Sequence, residues 1–108
     1  FSRAECMYCE TVKRDYLKPL ETTPSFPGVM IRQINQDSDA AMTDFRGKKA
    51  TQASFASAEK ISMVPVVAFY GPNGKALADP LVGAGLPDFY QSYLEDAIAK
   101  SKAALKAR

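Results

Sequence analysis

Histidine is missing from all 108 residues, and its absence removes several chemistries together. Neither a Ser-His-Asp nor a Cys-His arrangement can be assembled for nucleophilic catalysis. A closed structural zinc site takes four ligands, normally from cysteine and histidine, and the chain offers two cysteines. A metal held within one chain is therefore not expected. Those two, Cys6 and Cys9, lie three positions apart, and a bridge closing so short a loop removes little entropy from the unfolded chain. The pair is not a staple for the fold, so its use must be local. Long apolar runs are absent as well: the longest, Val64 to Tyr70, falls far short of the roughly 20 residues a helix needs to cross a bilayer. No membrane insertion is expected. The start shows no basic flank followed by an apolar stretch, although a processed product would have lost such a signal.

What is present looks like an ordinary folded domain. Apolar residues make up 46% and charged residues 24%, close to the composition of soluble globular proteins. The length suits one domain spanning residues 1–108. The formal charge is only +2. Basic residues gather at Lys100, Lys102, Lys106 and Arg108, the end of the last expected helix, where cations favour the helix dipole and a solvated terminus explains them. Nucleic-acid binding needs a broad phosphate-facing stripe, and none is present.

Periodicity divides the chain into elements. Val12, Tyr16, Leu17 and Leu20 share one face of a helix that starts at the cysteines and runs to Leu20. Thr22 to Gly28, with two prolines and a glycine, reads as a loop. Val29 to Asn35 reads as a strand. From Gln36 to Ala50 the pattern fails, which predicts a polar excursion with at most a short helical or strand piece. Thr51 is the expected N-cap of a helix reaching about Ile61, with Phe55, Ala58 and Ile61 toward the core. Val66 to Tyr70 reads as a strand buried on both faces. Gly71-Pro72-Asn73-Gly74 then turns the chain, and Lys75 to Val82 returns as its antiparallel partner. After a break marked by Gly83, Gly85 and Pro87, a last helix places Phe89 or Tyr90, Tyr93, Leu94, Ala97, Ile98, Ala104 and Leu105 on one face. The order implies an α/β domain. Phe1 stands only five residues before Cys6, which leaves no room for a strand leading into the first helix. Such a strand is expected to lie outside these 108 residues or to come from another chain.

Chemistry concentrates at Cys6-Met7-Tyr8-Cys9. Cysteines spaced C-x-x-C at the start of a helix face each other across one turn and can close a disulfide. Cys6 would lie at the helix tip, where unpaired N–H groups and the dipole favour a thiolate, so it is the expected nucleophile. Cys9, one turn inside, would resolve a mixed disulfide. Half of a metal site shared between chains, or two unrelated buried thiols, are the alternatives.

The stretch Phe1 to Cys9 resembles the thioredoxin superfamily, in which an aromatic strand end and a short connector precede redox cysteines that cap a helix. Met63-Val64-Pro65-Val66-Val67-Ala68-Phe69-Tyr70 resembles the family's cis-proline before a buried strand, Gly71 to Lys75 its turn between antiparallel strands, and Gly83 the glycine before its last helix. Nearly the whole chain is covered, in order. The resemblance implies a central mixed β-sheet flanked by helices in three α/β/α layers. It also implies a turn at Pro65 beside the disulfide, with the backbone of Val64 pairing to an extended client segment. Without the resemblance, Pro65 need only open a strand. The stretch from Met42 to Thr51 resembles bacterial periplasmic thioredoxin-related proteins, including a branch associated with sulfur-oxidation gene clusters. This implies a periplasmic or otherwise exported location.

Departures from the family bear on direction. The dipeptide between the cysteines is Met-Tyr rather than Gly-Pro, and Glu5 replaces the usual tryptophan. Negative charge near the pair destabilises the thiolate and makes a dithiol more reducing, so Glu5 and Glu10 point to a reductant unless both are ordinary solvated charges. Met7 and Tyr8 are expected to meet the client, although Tyr8 could simply cover the helix face. The leading expectation is a thiol-disulfide oxidoreductase that exchanges electrons with protein disulfides and is recharged by an upstream redox protein, with no cofactor beyond its own sulfurs. The alternative is a redox-inert module of the same fold that binds an extended peptide.

Overall fold

The computed structural model describes residues 1–21, 29–83 and 87–106. The expected loop at Thr22 to Gly28, together with Gly85 and Arg108, lies outside them.

The cysteines open α1 (Met7–Val12), which passes through a π-helical turn (Lys13–Leu17) into α2 (Lys18–Glu21). The widened turn has a chemical origin. Pro19 has no N–H to give to the Asp15 carbonyl four residues back, and just ahead of it the Lys18 N–H donates to the Lys13 carbonyl, five residues back rather than four. The helix therefore continues past a residue that ordinarily breaks one.

The polar excursion is a small hairpin rather than a single piece. Strand β1 (Ala41–Thr43) pairs antiparallel with β2 (Lys49–Thr51), Met42 opposite Ala50. Asp44 shapes its turn, accepting the N–H groups of Arg46 and Lys48 on Oδ1, each at 2.9 Å. Thr51 then caps α3 (Gln52–Ala58) as expected, with Ser54 completing a reciprocal capping box. The helix stops at Ala58, short of Ile61, because the chain turns at Lys60 with φ +61°. Ala56 is its buried residue, and Ala58, expected in the core, is exposed.

β3 (Val66–Tyr70) and β4 (Ala76–Val82) form an antiparallel pair around the 71–74 turn. Pro80 cannot donate to a ladder, and the register slips by one residue between Val67–Leu81 and Phe69–Ala78. β3 is half-buried along most of its length and fully buried only at Val66, less than a strand covered on both faces would be.

The expected strand at Val29 to Asn35 is not formed as such. Only Asn35 makes a bridge, parallel to Ser2: Ser2 N–H donates to the Ile34 carbonyl at 2.7 Å, and Gln36 N–H to the Ser2 carbonyl at 2.8 Å. One bridge does not make a ladder, and residues 29–33 have no partner strand among the described residues. On the other side Phe1 exchanges both backbone bonds with Val66, at 2.6 and 3.1 Å. Phe1 and Ser2 thus link a parallel neighbour to an antiparallel one through single bridges. In place of the expected central mixed sheet, the described residues form two separate two-stranded antiparallel sheets, because Phe1 and Ser2 are too short a piece to build the ladder between them.

Alternation along β3 sorts the layers. Val67 and Phe69 face a core in which Val12 and Leu20 pack with Tyr90, Leu94 and Ile98 of α4 (Pro87–Lys106). Tyr70 faces the other way, into an aromatic chain that runs Tyr70, Phe45, Phe55, Phe1 with centroid spacings of 4.9, 5.7 and 6.0 Å. The cysteine helix and α4 therefore cover one side, and α3 with the 41–51 hairpin covers the other. The stripe on α4 is Tyr90, Leu94, Ala97, Ile98 and Ser101, so of the pair Phe89 or Tyr90 it is Tyr90 that turns inward and Phe89 that is exposed; Tyr93 and Leu105, expected with the stripe, point to solvent.

Candidate active site

Cys6 is the N-cap of α1, with extended backbone at φ −107° and ψ 104°. Its Sγ accepts the N–H of Cys9 at 3.2 Å, and its carbonyl accepts the N–H of Glu10 at 3.1 Å. A sulfur thus stands where serine or aspartate caps other helices, taking one of the donors that the first turn leaves unpaired. Cys6 and Cys9 are joined as a disulfide with Cα atoms 5.2 Å apart. Both are largely covered, Cys6 at 8% exposure and Cys9 at 4%, so Cys6 is the more accessible. Met7 and Tyr8 stand out to solvent beside it, at 77% and 65%.

Pro65 arrives from the opposite side. The Val64–Pro65 peptide is cis, Pro65 is buried and Val64 half-buried. Gly83 N–H donates to the Pro65 carbonyl at 2.8 Å, which ties the bend to the end of β4. Among the described residues neither the N–H nor the carbonyl of Val64 has a backbone partner. Cys9 and Pro65 line the same cavity of about 220 Å³, together with Phe1, Val12, Val66 and Ile31. Two segments 56 positions apart in the sequence therefore meet at one place. Met63, just ahead of Val64, is exposed.

The charges around the pair are less one-sided than the sequence suggests. Glu10 is bonded to Lys13 at 3.0 Å, one turn along the helix, and Lys13 Nζ also reaches Gln33 Oε1 at 3.4 Å. Glu5 has no such partner among the described residues, and its backbone is left-handed at φ +57°. Asp37, not singled out by sequence reasoning, sends its carboxylate to the N–H of Ala4, two residues before Cys6. No local spacing links positions 4 and 37, so only the fold could reveal this contact.

No group of three or more acidic, histidine or cysteine side chains placed to hold a metal occurs among the described residues. Among the described residues no helix is long and apolar enough to cross a membrane.

No curated protein and no solved structure matches the chain. A family model described as the thioredoxin-like domain matches residues 1–98, which include the cysteine pair, the Val64–Pro65 bend and most of α4. A bonded C-x-x-C pair capping a helix, next to a proline bend in an α/β domain, agrees with that match, and the chain belongs to the thioredoxin-like domain family.

Proposed function

We propose that this domain is a thiol-disulfide oxidoreductase acting on protein disulfides, with Cys6 as attacking sulfur and Cys9 as resolving sulfur. The observation that carries the reading is the bond from Cys9 N–H to Cys6 Sγ. In the dithiol form the same donor, at the positive end of α1, favours the Cys6 thiolate, which is the nucleophile.

The exchange balances as two displacements. Cys6 thiolate attacks one sulfur of a client disulfide, forming a mixed disulfide and releasing the first client thiolate. Cys9, deprotonated, then attacks Cys6 Sγ and expels the second, so two electrons and two protons pass to the client and the Cys6–Cys9 disulfide forms. An upstream dithiol protein restores the pair. Met7, Tyr8 and the backbone of Val64, without a backbone partner among the described residues, offer the client an apolar rim and a strand edge. The direction is reductive, on the strength of Glu5, with Glu10 partly offset by Lys13. The compartment is the periplasm or another exported space, where disulfide traffic is heaviest.

Cys9→Ser should trap a client on Cys6 as a covalent adduct visible on non-reducing gels, and Cys6→Ser should abolish insulin reduction. Undiminished insulin reduction by Cys6→Ser would rule the mechanism out. The slight exposure of both cysteines favours one rival, a redox-inert peptide-binding domain. That rival predicts a disulfide that glutathione buffers cannot open and peptide binding unchanged in the double Ser variant.

A further inference from the structure

The turn that delivers Cys6 to its helix is held from a distant part of the chain. Ser2 is fixed by backbone bonds to Ile34 and Gln36, and α1 begins at Met7. Between them the chain must change from strand to helix, and it does so through a turn at Ala4 and Glu5. Glu5 takes φ +57° there, a region that residues bearing a Cβ seldom occupy. Among the described residues, Asp37 is the side chain that bonds to this turn: Ala4 N–H donates to Oδ1 at 3.2 Å and to Oδ2 at 3.1 Å.

Asp37 is itself well anchored. Asn35 N–H donates to Gln52 Oε1 at 2.7 Å, Ser38 N–H to the Asn35 carbonyl at 3.1 Å, and Ala53 N–H to the Ser38 carbonyl at 2.8 Å. The segment on either side of Asp37 is thus fastened to the first turn of α3. A carboxylate on such a footing acts as a post for the turn, although it lies at the surface.

We propose that Asp37 is a positioning residue for the redox pair, holding the Ala4–Glu5 turn and through it the aim of the Cys6 sulfur. It acts through the backbone of the turn. The proposal rests on the reading of Cys6 as the attacking thiol, and its test keeps the two apart.

The experiment uses the reduced full chain and two readouts: the rate of Cys6 alkylation by iodoacetamide, and kcat and KM for insulin reduction with dithiothreitol. Asp37→Ala should slow alkylation and lower kcat about fivefold, the factor that one lost hydrogen bond of ordinary strength produces, with KM unchanged. Asp37→Asn keeps an oxygen acceptor and should recover at least half of the loss. Asp39→Ala, two positions away and without a bond to the turn, should match the parent. If Asp37→Ala is too unstable to measure, Asp37→Glu, whose oxygens are displaced by a methylene, replaces it with the same expectation of slowing. Alkylation at the parent rate in the Ala variant, or an Asn variant as slow as Ala, overturns the proposal. Alkylation needs no client, so it judges Asp37 even if insulin is never reduced, a result that would remove the exchange reading instead.

Discussion

Tyr90→Phe should make the domain more stable, and the reason is a single oxygen. Tyr90 lies at 2% exposure in the core against Val12, Leu20, Leu94 and Ile98, its ring 4.7 Å from that of Tyr16. Among the described residues its hydroxyl is the buried side-chain polar atom without a hydrogen-bond partner. Leaving such a group unsatisfied costs about 1–3 kcal/mol, and removing one oxygen forfeits a few tenths of a kcal/mol of dispersion, so a net gain of about 1 kcal/mol is expected. For a domain of this size that is a rise of about 4 °C in Tm, measurable by thermal denaturation with the disulfide intact. Alkaline titration supplies a second signature. Burial, and then the nearby Tyr16, push the Tyr90 phenol up to about 12. The unfolded chain loses this proton near pH 10, so stability is fully present below that pH and declines as pH rises through about 12. Phe at 90 should make the decline shallower without abolishing it, because Tyr70 is also raised, by burial and by its bond to Glu59. A variant that melts several degrees lower would refute the reasoning, since it would mean that the hydroxyl is satisfied.

The 71–74 turn offers a paired test. A methyl group on Gly74 would stand 2.7 Å from Phe45 Cγ and Cδ2 at φ +84°, and Phe45 is itself packed on Phe55 and Tyr70, so Gly74→Ala should cost about 2–4 kcal/mol. Gly47 has φ +78° with open space around its Cβ position, so Gly47→Ala should lose only the backbone share, about 1–2 kcal/mol. Urea midpoints of the two variants check the difference, and equal losses would show that Phe45 yields freely. Thr51→Ala breaks the capping box and should cost about 1 kcal/mol, read the same way.

The parts of the fold legible in the sequence were those set by neighbours in the chain. The first helix, the Thr51 cap, the 71–74 turn and the core positions Tyr90, Leu94, Ala97 and Ile98 follow from spacing and local chemistry. What failed depends on partners. Val29 to Asn35 has the residues of a strand, yet backbone pairing reaches it only at Ser2, and β propensity without a neighbour does not make a ladder. Phe89 and Tyr93 share the apolarity of Tyr90 and Leu94 but lie to one side of the narrower stripe that α4 buries, and a wide apolar face does not say which edge will be covered. At the site, Cys6 and Cys9 could be read because their chemistry is local. Asp37 could not, because its bond to Ala4 spans 33 positions.

Charge at the pair is the last case in which composition misleads and geometry corrects. Glu5 and Glu10 together suggest a strongly negative flank, but Lys13 Nζ lies 3.0 Å from Glu10 Oε1, and the two side chains, at 33% and 62% exposure, are partly screened by water. Such a pair is worth about 0.5 kcal/mol or less, so each member can move the stability of the Cys6 thiolate only slightly. Removing the cation by Lys13→Ala leaves Glu10 unopposed, destabilises the reduced form and should lower the reduction potential by about 10 mV, since 30 mV corresponds to about 1.4 kcal/mol for a two-electron couple. Glu10→Gln should raise it by a similar amount, and the double variant should return near the parent. Equilibration against glutathione resolves shifts of this size when the variants are run side by side. Shifts of the same sign in both single variants would mean that helix stability, not charge, governs the pair, and Glu5 alone would then have to account for any reducing bias.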